Sequence, residues 1–300
     1  MNRYFVYTRF AYLIVICLVS QGCGVKLFYN NADRVARWWV SDYIDMDKAQ
    51  RAYFDASSAE LMYWHRTTQL AIYRDELLKL SNTIEAQSLD ENQLENIVAE
   101  VEEWGLAFKS RAVPIGVEVL LSLSPKQLRT LDKALVKSNR EYERQARQDQ
   151  SDYAQGEAKD YAKFLRRFIG RLSEDQQALI LKKHLDMLPD AQVILDYRLE
   201  WQRKLLNALQ ADPPDVGLVE SLMLNFDEHY TPEFAQMIEV NEVIYQELTL
   251  DLLANLKESQ RAKLVSELKG YAEIFDELIA EAPVGPPPAS NPLPRYVARP

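Results

Sequence analysis

The chain has 300 residues, a hydrophobic content of 47% and a formal net charge of −10. Its length suffices for a sizeable core in one large domain or two smaller ones, and its acidity excludes a general nucleic-acid binder, which needs a basic footprint. Only nine glycines and almost no strand-like alternation favour long helices. We therefore predict an all-α fold, an elongated bundle of about nine helices.

The first 22 residues have the layout of an export signal. Basic residues precede an apolar run over residues 10–19, and small residues come just before Cys23. As a helix, this run would reach about 15 Å, which is half of a bilayer's hydrocarbon core and too short to span it. We predict a signal peptide over residues 1–22.

Cys23 and the glycine before it resemble the bacterial lipobox, although Ser20 and Gln21 depart from its usual residues. The resemblance implies a lipid on Cys23. Gly24, in place of an Asp, implies sorting to the outer membrane, in its periplasmic leaflet. Cys17 lies in the removed segment, so Cys23 would be the only cysteine of the mature chain, which favours an attachment point over a disulfide. The alternative is simple secretion with a free amino-terminal Cys.

Residues 23–30 are expected to form the lipid-anchored start and a short tether. Aromatic side chains favour membrane interfaces and arginines suit anionic head groups, so several residues of this region are candidates for membrane contact. These are Phe28, Tyr29, Arg34, Arg37, Trp38 and Trp39. The alternative is that Trp38, Trp39 and Tyr43 pack into the domain.

One form of helix start recurs along the chain. An apolar residue precedes a Ser or Asp cap, and a Gln follows three residues after the cap, which is the pattern of a capping box. The copies begin at Met46, Leu89, Leu123, Leu172 and Leu256, of which the first and last are looser. Their irregular spacing argues against a regular solenoid.

We predict an all-helical domain over 31–282, followed by a Pro-rich disordered tail over 283–300. Two segments place apolar residues at alternating spacings of three and four, which is typical of helical core stripes. The stripes are Leu70, Tyr73, Leu77, Leu80, Ile84 and Leu264, Leu268, Tyr271, Phe275, Leu278. The predicted helices are 32–44, 47–85, 90–122, 125–170, 173–187, 191–211, 215–228, 231–254 and 257–281.

Trp64, His65 and Arg66 form an unusual local motif. A catalytic His needs a nucleophile or carboxylate within reach, and a metal site needs ligands at helical spacing; neither pattern is present. We interpret the motif as a packed helix contact and predict no catalytic residue, metal or cofactor. The alternative is an enzyme acting on lipid or cell wall through His65, Asp75 or Glu76.

The segment from Lys126 to Arg171 holds 12 basic and 7 acidic residues within an otherwise acidic chain. Apolar residues thin out between Ser138 and Asp160, so we expect a solvated or partner-bound helix with a break at Gln155-Gly156. Its positive face would suit an anionic lipid, lipopolysaccharide or an acidic protein. The candidate contact residues are Lys137, Arg140, Arg144 and Arg147.

These residues together resemble an uncharacterised family of Gram-negative lipoproteins, catalogued as a domain of unknown function numbered about 6279. The matching residues are Cys23, Tyr29-Asn30-Asn31, Asp33, Trp39, Asp42-Tyr43-Ile44-Asp45, Gln50, Trp64-His65-Arg66, Leu70, Tyr73, Leu123-Ser124, Gln127, Gly170-Arg171-Leu172-Ser173, Gln176 and Gln260-Arg261. The resemblance implies an envelope lipoprotein and supplies no activity. The helix starts are also similar to the Leu-Thr-x-x-Gln repeats of small periplasmic chaperones.

The function predicted from the sequence is a membrane-anchored, non-enzymatic helical binding or scaffold module. Its partners would be the membrane, through the lipid, and another envelope protein or anionic envelope component. A chaperone-like holder of unfolded envelope proteins is the main alternative. The sequence leaves the oligomeric state open.

Overall fold

The computed structural model describes residues 23–189, 191–289 and 291–293; the predicted signal peptide lies outside this part of the chain. Every regular element in these ranges is a helix, which confirms the all-α prediction. The α-helices are α1 (Cys23–Tyr29), α2 (Ala32–Ser41), α3 (Lys48–Trp64), α4 (Leu70–Glu85), α5 (Glu91–Leu121), α6 (Pro125–Ser138), α7 (Arg140–Ala146), α8 (Gln150–Ile169), α9 (Glu174–Asp186), α10 (Ala191–Gln210), α11 (Val216–Leu224), α12 (Pro232–Ala254) and α13 (Glu258–Ala280). A π-helical turn, His65–Gln69, joins α3 to α4, and a 3-10 turn, Phe226–His229, follows α11.

The prediction of one helix over 125–170 is wrong, because the chain breaks at Asn139 and again over residues 147–149. Asn139 is buried, and its side chain exchanges hydrogen bonds of 2.8 and 3.0 Å with Gln202 of α10. Asp149 then caps α8 by accepting from the Ser151 N–H at 2.8 Å. The expected break at Gly156 is absent, because this residue lies within α8. A side chain at this position would meet no neighbouring atom within 4 Å, so the surroundings do not require a glycine.

The expectation that this segment is solvated throughout is also wrong for α8. Ala154, Ala158 and Ala162 recur every fourth residue and are all buried, so they form one face of the helix. Because alanine has a short side chain, this face lets neighbouring helices approach closely. Ala158 and Ala162 share a core cluster with residues of α9 and α12. Helix α8 is therefore partly buried although it has few large apolar residues, because alanines form its buried face.

Helices α4 and α13 pack antiparallel: Arg74 near the start of α4 binds Asp276 near the end of α13, and Glu85 at the end of α4 binds Lys269. The two predicted stripes meet in this contact: Ile84 of α4 packs with Val265 and Leu268 of α13, and the Tyr73 and Phe275 rings lie 6.4 Å apart. The prediction that both stripes belong to the core is thus confirmed, and each is the partner of the other.

Four of the five repeated helix starts face one another in pairs. In the first junction, the Gln127 Nε2 donates to Gln50 Oε1 at 2.7 Å and to the Asp45 carbonyl at 2.8 Å. The Gln50 Nε2 donates in turn to the Ser122 carbonyl at 3.2 Å and to the Ser122 hydroxyl at 2.9 Å. Each glutamine thus closes its own capping box and also binds the loop before the partner helix.

The second junction repeats this arrangement, but here the two glutamines bind each other in both directions. Gln176 and Gln260 exchange two side-chain hydrogen bonds of 2.9 Å. The Gln260 Nε2 also donates to the Arg171 carbonyl at 2.9 Å, and the Gln176 Nε2 donates to the Asn255 carbonyl at 3.2 Å. In both junctions the accepting carbonyl lies two residues before the partner's cap. The copy that begins at Leu89 keeps its capping box, with Gln93 exposed.

The described part of the Pro-rich segment contains no helix, and it returns to the domain. Leu293 is buried in the largest core cluster, and its N–H donates to Glu118 Oε1 of α5 at 3.0 Å. The expectation of a free tail over 283–300 therefore needs correction up to Leu293, because an apolar side chain at that position finds a site in the core. Residues 294–300 lie outside the described ranges.

Candidate functional site

Helix α1, which begins at Cys23, packs against the end of α13 where a short tether was expected. Val25 is buried, and the Lys26 ammonium lies 2.9 Å from Glu277 and 2.6 Å from Glu281. The predicted lipidation site is therefore followed directly by folded structure. The side chain of Cys23 itself lies outside the described part.

The π-helical turn is positioned opposite α1. The Leu70 N–H donates to the His65 carbonyl, five residues back, and this widens the helix at the Trp-His-Arg motif. Two threonines stabilise the turn: the Thr67 hydroxyl donates to the Tyr63 carbonyl at 2.9 Å, and the Thr68 hydroxyl to the Trp64 carbonyl at 2.7 Å. Such single π-turns are rare in helices and are frequent at functional sites.

Polar side chains of α1 form hydrogen bonds with side chains of the π-turn. The Tyr29 hydroxyl and His65 Nδ1 share a hydrogen bond of 2.8 Å. Arg66 donates through Nη2 to Asn30 Oδ1, and its guanidinium lies 5.0 Å from the centroid of the Tyr29 ring. We call this contact region the clasp; it consists of Lys26, Tyr29, Asn30, His65, Arg66, Glu277 and Glu281. The clasp fastens α1 to the main domain.

His65 lies among aromatic rings. Its centroid is 5.4 Å from that of Tyr73, 5.5 Å from that of Phe108 and 5.8 Å from that of Tyr29. This burial lowers the pKa of His65 from 6.5 to about 4, so the imidazole is neutral near pH 7. Burial likewise raises the pKa of the Tyr29 hydroxyl. These contacts favour the interpretation of the motif as a packed helix contact.

The other groups considered for catalysis lie in ion pairs. Asp75 binds Arg74 at 2.8 Å, and Glu76 binds Lys79 at 3.1 Å. Within the described ranges, no group of three or more His, Cys, Asp or Glu side chains could hold a metal ion. The two remaining histidines have local partners: His184 Nδ1 lies 2.8 Å from the Ile180 carbonyl, and His229 Nε2 lies 2.8 Å from the Ser221 hydroxyl.

Helix α2 has an inner and an outer face. Ala36, Val40 and the following Tyr43 pack against the largest core cluster. The side chains of Trp38 and Trp39 are 64% and 44% exposed, so the alternative that they are core residues is wrong, although it holds for Tyr43. Helical spacing accounts for Trp38, which lies two residues from both Ala36 and Val40 and so on the opposite side of the helix, whereas Trp39 lies at the edge of the inner face.

The remaining candidates for membrane contact differ in their surroundings. Arg37 binds Asp55 of α3 at 2.6 Å, whereas exposed Arg34 has a 3.3 Å hydrogen bond to Asn31. Tyr29 faces the clasp, and Phe28 is half-buried. The structure thus brings Trp38, Trp39 and Arg34 to the surface and turns Tyr29 and Arg37 towards the domain.

The predicted partner-contact residues form an exposed basic surface. Arg140, Arg144 and Arg147 are spaced four and three residues apart, which places them on one face at α7, and Lys137 precedes them at the end of α6. Arg144 forms an ion pair with Glu141 on the same helix. We call Lys137, Arg140, Arg144 and Arg147 the basic surface. On the inner side of α7, Arg198 lies 4.1 Å from the centroid of the Tyr142 ring.

The fold and these surfaces define an all-α protein whose first described helix is clasped to its main domain. No helix of the described residues is both long and apolar enough to cross a membrane. The chain belongs to a family of unknown function, DUF6279, whose family model matches residues 42–235. Comparison with curated proteins and with solved structures gives no match for this chain.

Sequence reasoning did not find the pairing of these elements. Tyr29-Asn30 and His65-Arg66 were both part of the family resemblance, and in the structure they pair in the same order, Tyr with His and Asn with Arg. The ion pairs of Lys26 carried no recognisable signal. The matched range 42–235 includes the π-turn and the first junction and leaves α1 outside it.

Proposed function

We propose that this protein is an envelope lipoprotein, anchored by a lipid on Cys23 to the periplasmic leaflet of the outer membrane, that acts as a non-enzymatic scaffold for an acidic envelope partner. The observation that carries the proposal is the clasp. It joins α1, which starts at Cys23, to the π-turn and to the end of α13. An anchor on this residue would hold the whole domain at a fixed place on the membrane.

A scaffold benefits from such an attachment because a partner surface is then presented in a constant orientation. A long flexible spacer would let the domain tumble and would dilute any preferred direction. In this chain the distance between the proposed lipid and the first folded contact is a few residues, since Val25 is already buried. The clasp thus supports a function that depends on position.

The basic surface supports an acidic partner. Lys137, Arg140 and Arg147 are exposed, and they stand out on a chain whose net charge is −10. Val136, beside Lys137, is an apolar side chain that is 62% exposed. Positive charge around an exposed apolar residue fits a protein surface with acidic groups, because the charges steer the encounter and the apolar contact adds affinity.

Crosslinking in living cells tests the partner. We would replace Lys137, Arg140 and Arg147 by Glu, capture the crosslinked protein and identify what is attached. The matched control replaces Lys159, Lys163 and Lys182 by Glu; these are three exposed lysines of α8 and α9, and the change in net charge is the same. We expect one dominant partner that is lost from the first variant and kept in the control.

Two outcomes would overturn the scaffold. If the partner were lost from both variants, its binding would depend on the net charge of the protein and not on the basic surface. A broad scatter of immature envelope proteins would favour a holder of unfolded chains instead.

Incorporation of a labelled fatty acid tests the anchor separately. We expect label in the natural protein and none in a Cys23→Ser variant, since Cys23 is the proposed attachment point. Cys17→Ser is the matched control, because Cys17 is the only other cysteine of the chain. Absence of label from the natural protein would refute lipid anchoring, whatever the crosslinking result.

A further inference from the structure

Large apolar side chains are exposed close to the proposed lipid. Leu27 of α1 is 67% exposed, and Trp38 and Trp39 of α2 are 64% and 44% exposed. At 1.5 Å per residue, the helical path from Cys23 to Trp39 is about 25 Å, less than the thickness of a bilayer's hydrocarbon core. A lipid on Cys23 would therefore keep all three residues within about 25 Å of the membrane surface.

Exposure to water is unfavourable for indole rings of this size. A tryptophan has a large apolar ring and a single N–H donor, which suits the boundary between head groups and acyl chains. Helix α2 contains no fully buried residue, and Arg34, Trp38, Trp39 and Ser41 are exposed. A second surface that covers these side chains would remove the exposed area from water.

Two of the three cations between residues 23 and 42 form ion pairs within the protein. Lys26 binds Glu277 and Glu281, and Arg37 binds Asp55. Arg34 is the exposed cation of α2, and Asp33 and Asp42 carry opposite charges nearby in the sequence. Net attraction to anionic head groups is therefore weak, and apolar contact remains as the driving force.

We propose that Leu27, Trp38 and Trp39 insert into the interface of a zwitterionic phospholipid bilayer as a second membrane contact beside the lipid. This inference rests on the proposed anchor and adds an orientation to it. The lipid holds one point, and α2 supplies a second point about 25 Å along the chain, so that the domain cannot rotate freely about its anchor.

A second copy of this chain fits the surface less well. Three partly exposed side chains, of at most about 250 Å² each, fall short of the roughly 800 Å² per partner of a stable protein interface. A bilayer has no such requirement, because the acyl chains on Cys23 already hold the protein in place and the additional contact is intramolecular in effect.

Quenching by brominated lipid tests this contact. The lipoprotein, purified from membranes, is reconstituted in phosphatidylcholine vesicles whose acyl chains carry bromine, and flotation in the same sample reports attachment. Two of the five tryptophans belong to α2, so we expect up to about two fifths of the Trp emission to be quenched. Trp38→Phe with Trp39→Phe should abolish this quenching. The control Trp201→Phe, at a half-buried tryptophan of α10 that packs against the core, should keep it.

The outcomes separate this inference from the anchor. Protein that floats with the vesicles and shows no quenching would overturn the α2 contact and leave the anchor intact. Protein that does not float would overturn both. Quenching that disappears at molar salt would overturn the apolar mechanism. Protection of the tryptophans from iodide at high protein concentration, without bromine quenching, would assign the surface to a second copy.

Discussion

The two ends of α13 are held in contrasting ways. At its start lies the second junction, where Gln176 and Gln260 are buried and neutral, and where each side-chain amide uses both donors and shares its oxygen with a helix cap. At its end lies the clasp, where Lys26 forms exposed ion pairs and His65 is a titratable group. Helix α13 thus begins at a buried contact without ionisable groups and ends at a contact whose ion pairs and histidine depend on salt and pH.

This difference separates a contact that stabilises the whole fold from one that fastens α1 to the domain. Buried amides have no charge to titrate and are costly to leave unpaired, so the junction should set the global stability. Exposed ion pairs contribute little because water and salt screen them. The clasp should therefore respond locally, at the segment that follows Cys23, while the domain remains folded.

Substitution of the junction glutamines has the largest expected effect. Gln176→Ala removes the acceptor of the Ser173 N–H, the amide donor to the Asn255 carbonyl and two of the side-chain hydrogen bonds of Gln260, and should lower the free energy of unfolding by about 2–4 kcal/mol. Gln127→Ala removes equivalent bonds at a half-buried position that water can reach, and should cost about 1–2 kcal/mol. Chemical denaturation measures both.

Gln93→Ala is the matched control for these variants, because Gln93 closes an exposed capping box of the same form. We expect a loss below about 1 kcal/mol. Equal losses for Gln176 and Gln93 would contradict the view that pairing across the junction matters more than the capping box.

The pH dependence should reveal the clasp. The pKa of folded His65 is lowered to about 4, whereas an unfolded His titrates near 6.5. The unfolded state therefore binds more protons between these values, and stability should fall as the pH decreases from about 6.5 towards 4. Denaturation midpoints across this range measure the slope.

A double variant, His65→Phe with Tyr29→Phe, keeps two rings in place and removes the titrating group, so its slope should be shallower. Part of the slope should remain, because burial also lowers the pKa of His184 and of His229. Tyr29→Phe alone is the control and should keep the full slope. An unchanged slope in the double variant would mean that His65 is not the group that responds.

Addition of a missing cap should stabilise the second junction. Lys257 occupies a cap position and has no side-chain acceptor, so only the Gln260 half of that box is formed. Lys257→Ser supplies the acceptor and should raise the free energy of unfolding by about 1 kcal/mol. Ser173→Ala, at the facing helix start, should lower it by a similar amount. A destabilised Lys257→Ser variant would show that another contact of Lys257 matters more.

The ion pairs of Lys26 give the smallest expected effect. Lys26→Ala removes contacts with two exposed carboxylates, so the global stability should hardly change. Protease cleavage within α1 should become faster, and this difference should shrink at high salt because screening weakens the same pairs in the natural protein. Lys183→Ala, which removes a similar pair with Glu247, is the control and should leave α1 protected.

Much of the fold could be predicted because its signals are local. The predicted span 47–85 is the continuous run of α3, the π-turn and α4, and the four strongest helix starts form capping boxes as expected. Both apolar stripes lie in the core. The break at Asn139 was missed, since it depends on the amide of Gln202, more than sixty residues away in the chain.

The clasp and the exposed tryptophans were less predictable, because they too depend on contacts between residues far apart in the chain. The sequence singled out Trp64-His65-Arg66 and the aromatic residues after Cys23, and it could not show that Tyr29 turns inward while Trp38 and Trp39 remain outside. Both positions look alike in the sequence, as aromatic residues near a proposed anchor. The packing of α1 on the end of α13 turns Tyr29 inward, and the packing of α2 on α3 leaves Trp38 and Trp39 outside.

By itself, the sequence determined the all-α class, the helix starts and the residues that carry each stripe, because a cap or a stripe depends on neighbours within one or two turns. Only the tertiary structure decided which helix start faces which, that α4 pairs with α13, and that the chain after Cys23 is clasped. These contacts join residues far apart in the chain, and several glutamines could satisfy the same amide. The relative placement of whole helices selects Gln50 with Gln127 and Gln176 with Gln260.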